Sequence, residues 1–159
     1  MKQVTTHFLK LAVIFIGILI LALCIFLVPK LAFEVSNFLK VDSLKYIIYI
    51  ILYGAAIPFY FALYQAFELL SYIDKNKAFS ELSVIALKKI KYCAILICSL
   101  HVLGLPLFYL VADKDDAPGL IFIGMVIPFA SMIIAVFSAV LERLLQEAIN
   151  IKSENDLTV

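Results

Sequence analysis

Four long segments without a single Asp, Glu, Lys or Arg constrain this chain more than any other feature of its sequence. They cover residues 11–28, 46–67, 92–112 and 120–141. At about 1.5 Å per residue in a helix, each reaches roughly 27 Å or more, close to the hydrocarbon thickness of about 30 Å in a bilayer. Because hydrocarbon offers backbone groups no hydrogen-bonding partner, such segments cross membranes as helices. The sequence therefore predicts four transmembrane helices.

Composition narrows the class of protein further. Hydrophobic residues make up 65% of the chain and charged residues 16%, whereas globular domains contain about 45–50% and about 25%. The net charge of +1 gives no basic field, so we do not expect direct nucleic-acid binding. The chain contains no phosphate-binding loop, HExxH motif or nucleophile elbow. We therefore expect a non-enzymatic protein without catalytic residues, metal ligands or cofactors.

The predicted fold is an all-α, integral membrane four-helix bundle that forms a single domain over residues 1–159. Its orientation follows from the cations. The N-terminus, the loop 68–91 and the tail 142–159 share one side of the membrane and carry nine of the 13 Lys and Arg residues. Since cytoplasmic segments are enriched in Lys and Arg, both termini are predicted to be cytoplasmic.

The two larger cytoplasmic segments are the candidate interaction site. The loop 68–91 carries five Lys against three acidic residues, and the tail 142–159 carries four acidic residues against two basic ones. Apolar residues at helical spacing make the start of the tail amphipathic, a common device for binding a partner. In the alternative without a protein partner, the lysines of the loop contact anionic lipid and the tail is solvated. The partner-binding hypothesis rests on Asp74, Lys77, Phe79, Ser80, Lys88, Lys89, Leu141, Leu144, Leu145, Ala148 and Ile149.

Polar residues inside the apolar segments suggest an alternative, a small transporter, immunity or channel-like protein. An ionisable group within the membrane, here His101, is a functional candidate by default. Gln65 lies near the inner end of the second segment and either lines a polar entry or marks the headgroup boundary. A neutral histidine that is hydrogen-bonded to a neighbouring helix is the structural alternative for His101.

Small residues recur every four positions in the fourth segment, at Ser131, Ala135 and Ala139. Such a stripe allows two helices to approach closely. Packing within the chain and assembly into a homo-oligomer both explain it. The three cysteines lie in apolar surroundings, where thiols usually act as small hydrophobic groups.

The cytoplasmic loop also carries a family resemblance. The stretch Tyr72–Ser80 (YIDKNKAFS), followed by Leu87–Ile90 (LKKI), resembles the loop of a bacterial four-span membrane family known only as domain of unknown function number 2975. The ending Glu154–Val159 (ENDLTV) resembles the usual C-terminus of that family. Members often have Gly where this chain has Asn76.

The resemblance implies a multi-pass protein of the bacterial cytoplasmic (inner) membrane, and it implies no established activity. Members are often encoded beside a small helix-turn-helix protein similar to lambda repressor. The resemblance therefore suggests the hypothesis that the protein tethers or regulates a small helix-turn-helix transcriptional regulator. The lipid bilayer is the other expected partner.

Overall fold

The computed structural model of the chain describes residues 2–157, and its regular structure over that range is α-helical throughout. The helices are α1 (Lys2–Leu39), α2 (Leu44–Asp74), α3 (Glu81–Lys114) and α4 (Gly119–Leu157). Each contains one of the predicted spans and is long and apolar enough to cross a membrane. The all-α membrane architecture is confirmed. Residues 1, 158 and 159 of the predicted domain lie outside the described range.

The helices are longer than the apolar segments. With 38 and 39 residues, α1 and α4 extend over about 57 Å, nearly twice the thickness of the hydrocarbon core. Helix α1 continues past Pro29 through Lys30 and Glu34, whose exposed side chains form an i, i+4 ion pair at 3.9 Å. Charge ends the apolar segment there but does not end the helix. Both long helices therefore project beyond the membrane.

Left-handed residues end the first three helices. Lys40, Asn76 and Asp116 have φ angles of 57°, 55° and 50°. At the end of α2, the amide of Lys77 donates to the carbonyl of Tyr72 at 2.8 Å, as in a Schellman motif. Asn tolerates this conformation better than most residues, and Gly tolerates it best of all.

Successive helices run antiparallel. On α2, the Tyr53 and Tyr60 hydroxyls donate to the Cys24 and Gly17 carbonyls of α1 at 2.9 and 2.8 Å, so numbering rises along one helix as it falls along the other. The same reversal relates α3 to α4, where Lys91 meets Glu142. Both described ends of the chain, residues 2 and 157, therefore lie on one side of the membrane, which we call the terminal side.

The helices pack in chain order. Helix α2 packs against α1 and α3, and α3 packs against α4, whereas α1 touches α3 more lightly. Across residues 2–157, α4 makes no contact with α1 or α2. The arrangement is therefore an open row in which α3 alone holds α4. Apolar side chains cover the outward faces of the helices, as expected for a surface in contact with lipid.

Small residues bring α4 close to α3. Ser131 and Ala135 of the predicted stripe are buried, and Ala139 is partly buried. Gly124 lies so near the ring of Phe108 that a Cβ atom on it would be 2.7 Å from Cγ of the ring. Packing within the chain thus explains the stripe. Other buried residues on this face of α4 are Pro128 and Ser138.

Candidate functional site

Two ion pairs hold the helices together on the terminal side, just beyond the apolar segments. Lys10 of α1 binds Asp74 of α2 at 2.5 Å, and Lys91 of α3 binds Glu142 of α4 at 2.6 Å. All four side chains are mostly shielded from solvent, with exposed fractions of 18–21%. The hydrogen bond from the Lys10 ammonium lowers the pKa of Asp74, which lies seven residues beyond the second span. Asp74 was predicted to bind a partner, and within the chain its carboxylate is already engaged.

The connection between α2 and α3 is organised around one carbonyl group. The carbonyl of Lys77 accepts hydrogen bonds from the hydroxyls of Ser80 and Ser83 at 2.7 and 3.3 Å. Ser80 has extended backbone angles and precedes the first residue of α3, Glu81. Its hydroxyl binds the Lys77 carbonyl instead of capping an amide of α3. This local order leaves the aromatic ring of Phe79 outside, with 67% of the residue exposed.

The start of α3 meets the end of α4 from residue 141 onward, which begins with the last residue of the fourth apolar segment and is called the α4 extension below. The side-chain amide of Gln146 donates to the carboxylate of Glu81 at 3.1 Å. A cleft of about 380 Å³ lies between the two helices at this point. The structure therefore brings together the two segments that the sequence marked as candidate interaction surfaces. The cleft is lined by Val84, Lys91, Ala139, Glu142, Arg143, Gln146 and Glu147.

The apolar residues predicted on α4 do not all share one environment. Leu141 and Leu144 are exposed, whereas Leu145, Ala148 and Ile149 are partly covered. An amphipathic pattern identifies an apolar face but does not show which part of it the neighbouring helix covers. Leu141 and Leu144 are therefore the most exposed of these five side chains.

Sequence reasoning missed two exposed apolar residues at the start of α3, Leu82 and Ile85. They follow Phe79 at intervals of three residues and lie before the third apolar segment. That spacing was the available signal, since residues at i and i+3 share one face of a helix. Lys88 and Lys89, also predicted to bind a partner, are exposed one turn further along α3.

The two intramembrane polar residues lie at different depths. Nδ1 of His101 lies 2.9 Å from the carbonyl of Ile97 in its own helix, rather than bonding to a neighbouring helix. Leu100, beside His101, packs against Gly54 of α2. Gly54 is 11 residues from Gln65, about 16 Å along the helix. Gln65 is only 2% exposed, so neighbouring helices enclose it, two residues before the end of the second apolar segment.

Comparison with known proteins finds a matching family and a relative that aligns over its whole length. A family model described as "Protein of unknown function (DUF2975)" matches residues 30–159. The uncharacterized membrane protein YoaS of Bacillus subtilis (strain 168) is 65% identical over 160 residues, and the alignment covers all of both chains. No solved structure matches the chain.

Proposed function

The chain belongs to the DUF2975 family of proteins of unknown function, and we propose that it is a non-enzymatic membrane protein that recruits a small cytoplasmic protein. The proposal places the terminal side of the molecule in the cytoplasm. Its docking surface consists of the exposed side chains at the start of α3 and on the α4 extension: Phe79, Leu82, Ile85, Leu141 and Leu144.

One observation supports this proposal: the hydrogen bond between Gln146 and Glu81 joins the two segments that carry these exposed side chains. An exposed hydrogen bond of this kind adds little stability by itself. It joins two segments at the membrane boundary on the terminal side, and each of them carries exposed apolar side chains. Burying one such side chain against a partner is favourable by about 1.5–3 kcal/mol, so a surface of this kind favours protein binding.

Charge supports the choice of partner class. The tail 142–159 carries four acidic residues against two basic ones. A helix-turn-helix regulator presents a basic face to DNA, and that face would meet the acidic tail rather than the lysine-rich loop 68–91, because opposite charges favour encounter. We propose that such a regulator docks on this side of the protein, which tethers or regulates it, and that docking competes with DNA for the basic face.

Photocrosslinking in native membranes tests the docking surface. A photoreactive amino acid at Phe79 or Leu144 is expected to capture a cytoplasmic protein, because both side chains are exposed outside the spans. The same probe at Phe129, which is 64% exposed within the fourth span, is the matched control and is expected to capture lipid. If all three positions capture only lipid or other copies of the chain, the recruitment proposal fails.

Identification of the captured protein tests the partner class separately. Mass spectrometry of the crosslinked band is expected to show a small protein with a helix-turn-helix domain. A captured protein of another class would retain the docking surface and overturn the regulator hypothesis. Added operator DNA is expected to reduce the yield of crosslinking, because DNA and the docking surface would compete for one basic face.

Gln65 favours a second candidate function, a small transporter, immunity or channel-like protein. The residue is only 2% exposed within the second apolar segment, where a polar side chain is costly to place. A polar side chain enclosed at this depth could contact a transported solute. Replacing Gln65 or His101 with Leu is expected to abolish a flux or resistance phenotype if this alternative holds. An unchanged phenotype would leave recruitment as the better proposal.

A further inference from the structure

Two consecutive lysines stand at the point where α3 enters its apolar segment. Lys88 and Lys89 are both exposed, and the segment begins three residues later at Tyr92. In the part of the chain that the structure describes, no carboxylate lies within ion-pair distance of either ammonium group. Lys10 and Lys91, by contrast, are neutralised by carboxylates of neighbouring helices. Two uncompensated positive charges therefore lie at the membrane boundary.

The exposed face of α3 continues from these lysines into the span. Tyr92, Ile95 and Leu103 follow Lys88 at four, seven and 15 residues, positions that share one face of a helix, and all three are exposed. Along this face the side chains change from ammonium to phenol to pure hydrocarbon. The same order of chemistry runs through a phospholipid from its phosphate to its acyl chains.

The neighbouring helix α2 fixes the position of Lys89. Its ammonium nitrogen lies 6.0 Å from the centre of the Phe61 ring, which is itself exposed. A long lysine side chain at a membrane boundary keeps its charge at the level of the headgroups while its stem covers apolar surface. Here the ammonium group lies within cation–π range of the exposed Phe61 ring, on the α2 side of α3 and away from the cleft between α3 and α4.

We propose that Lys88, Lys89 and Tyr92 bind the phosphate of one anionic phospholipid in the leaflet on the terminal side. One acyl chain of this lipid lies along the α3 face that includes Ile95 and Leu103. The two ammonium groups provide the charge, and the Tyr92 hydroxyl donates a hydrogen bond to a phosphate oxygen. The lipid site is distinct from the docking surface, because it begins at Lys88, one turn beyond Ile85, and continues into the third apolar segment.

Native mass spectrometry of the full-length protein in detergent tests the site, with dioleoyl-phosphatidylglycerol and dioleoyl-phosphatidylcholine as the two titrated probes. The unmodified protein is expected to bind its first phosphatidylglycerol more tightly than its first phosphatidylcholine. The double variant Lys88→Gln/Lys89→Gln is expected to lose about tenfold of that preference, because each lysine near an anionic headgroup contributes appreciably. Tyr92→Phe is expected to lose a smaller part, about two- to fivefold.

The matched control is Lys75→Gln/Lys77→Gln, which removes the same charge from the exposed connection between α2 and α3. This control is expected to keep the preference within about twofold. An equal loss in both double variants would show a diffuse electrostatic effect and overturn the site. The absence of any preference in the unmodified protein would overturn it as well. So would a photoreactive group at Lys89 that captures protein in native membranes and no lipid.

Discussion

The contact between Gly124 and Phe108 provides the sharpest test of how α4 is held. In Gly124→Ala the new Cβ atom would lie 2.7 Å from Cγ of the ring and 2.9 Å from each Cδ atom. Carbon atoms pack favourably at about 3.5–4.0 Å, so the ring or the helix must move by roughly 1 Å. Overpacking of this kind costs about 1–3 kcal/mol, whereas Gly→Ala gains at most about 1 kcal/mol in helix propensity. We expect a net loss of about 1–2 kcal/mol.

Thermal unfolding in detergent, followed by circular dichroism, measures this loss. Gly17→Ala is the matched control, because its Cβ atom would have its nearest neighbour, Cε1 of Tyr60, at an ordinary 3.9 Å. The control is expected to unfold at an unchanged or slightly higher temperature. Phe108→Ala is expected to relieve the clash, so Gly124→Ala should cost at least about 1 kcal/mol less in that background.

Two results would refute this reasoning. If Gly124→Ala is as stable as the unmodified protein, α3 and α4 do not approach each other as closely as the structure shows. If its cost is the same with and without the Phe108 ring, the loss arises elsewhere. Either result would also weaken the docking surface, because α3 alone holds the helix that carries Leu141 and Leu144.

Three further predictions concern the terminal side. Lys91→Met leaves the partly buried Glu142 carboxylate unpaired and should cost about 1–3 kcal/mol in the same unfolding assay, with a smaller cost if Glu142→Leu is added. Asn76→Gly should leave the free energy of unfolding unchanged or raise it. Asn76→Val should lower the free energy of unfolding by about 1–2 kcal/mol, because the left-handed backbone at position 76 disfavours β-branched residues. Lys10 lowers the pKa of Asp74, so the Asp74 carboxylate stabilises the folded protein at neutral pH. This stabilisation is lost as the pH falls through about 4 and below. Asp74→Asn should therefore reduce the fall in the free energy of unfolding at acidic pH.

The sequence predicts the spans because charged residues are costly in hydrocarbon, so a membrane span appears as a long segment without them. It predicts less well where helices leave the membrane. At Lys30 and Glu34 the apolar signal stops, but both residues are compatible with a helix, and α1 runs on to Leu39. The start of α3 was predictable, since Ser80 followed by Glu81 is a typical helix N-terminus.

The contacts between helices could not be read from the sequence in the same way. Lys10 and Asp74 are 64 positions apart, and no local pattern selects that partner among the other carboxylates on the same side. The burial of Gln65 likewise depends on how α2 meets its neighbours. Periodicity gives the face of a helix, but the order in which helices pack decides which faces are covered. The structure was therefore needed to show which apolar side chains on the terminal side are exposed and which a neighbouring helix covers.

The central claim is that the terminal side of this membrane-spanning protein faces the cytoplasm. Thiol labelling of intact cells tests it most directly, in a variant whose three native cysteines are replaced by Ala. Single cysteines at Asp42 and Asp115 probe the two outer connections, and one at Lys77 probes the terminal side. The account predicts that a membrane-impermeant maleimide labels the first two positions in intact cells and Lys77→Cys only after permeabilisation. Labelling of Lys77→Cys in intact cells, with Asp42→Cys and Asp115→Cys protected, would contradict it.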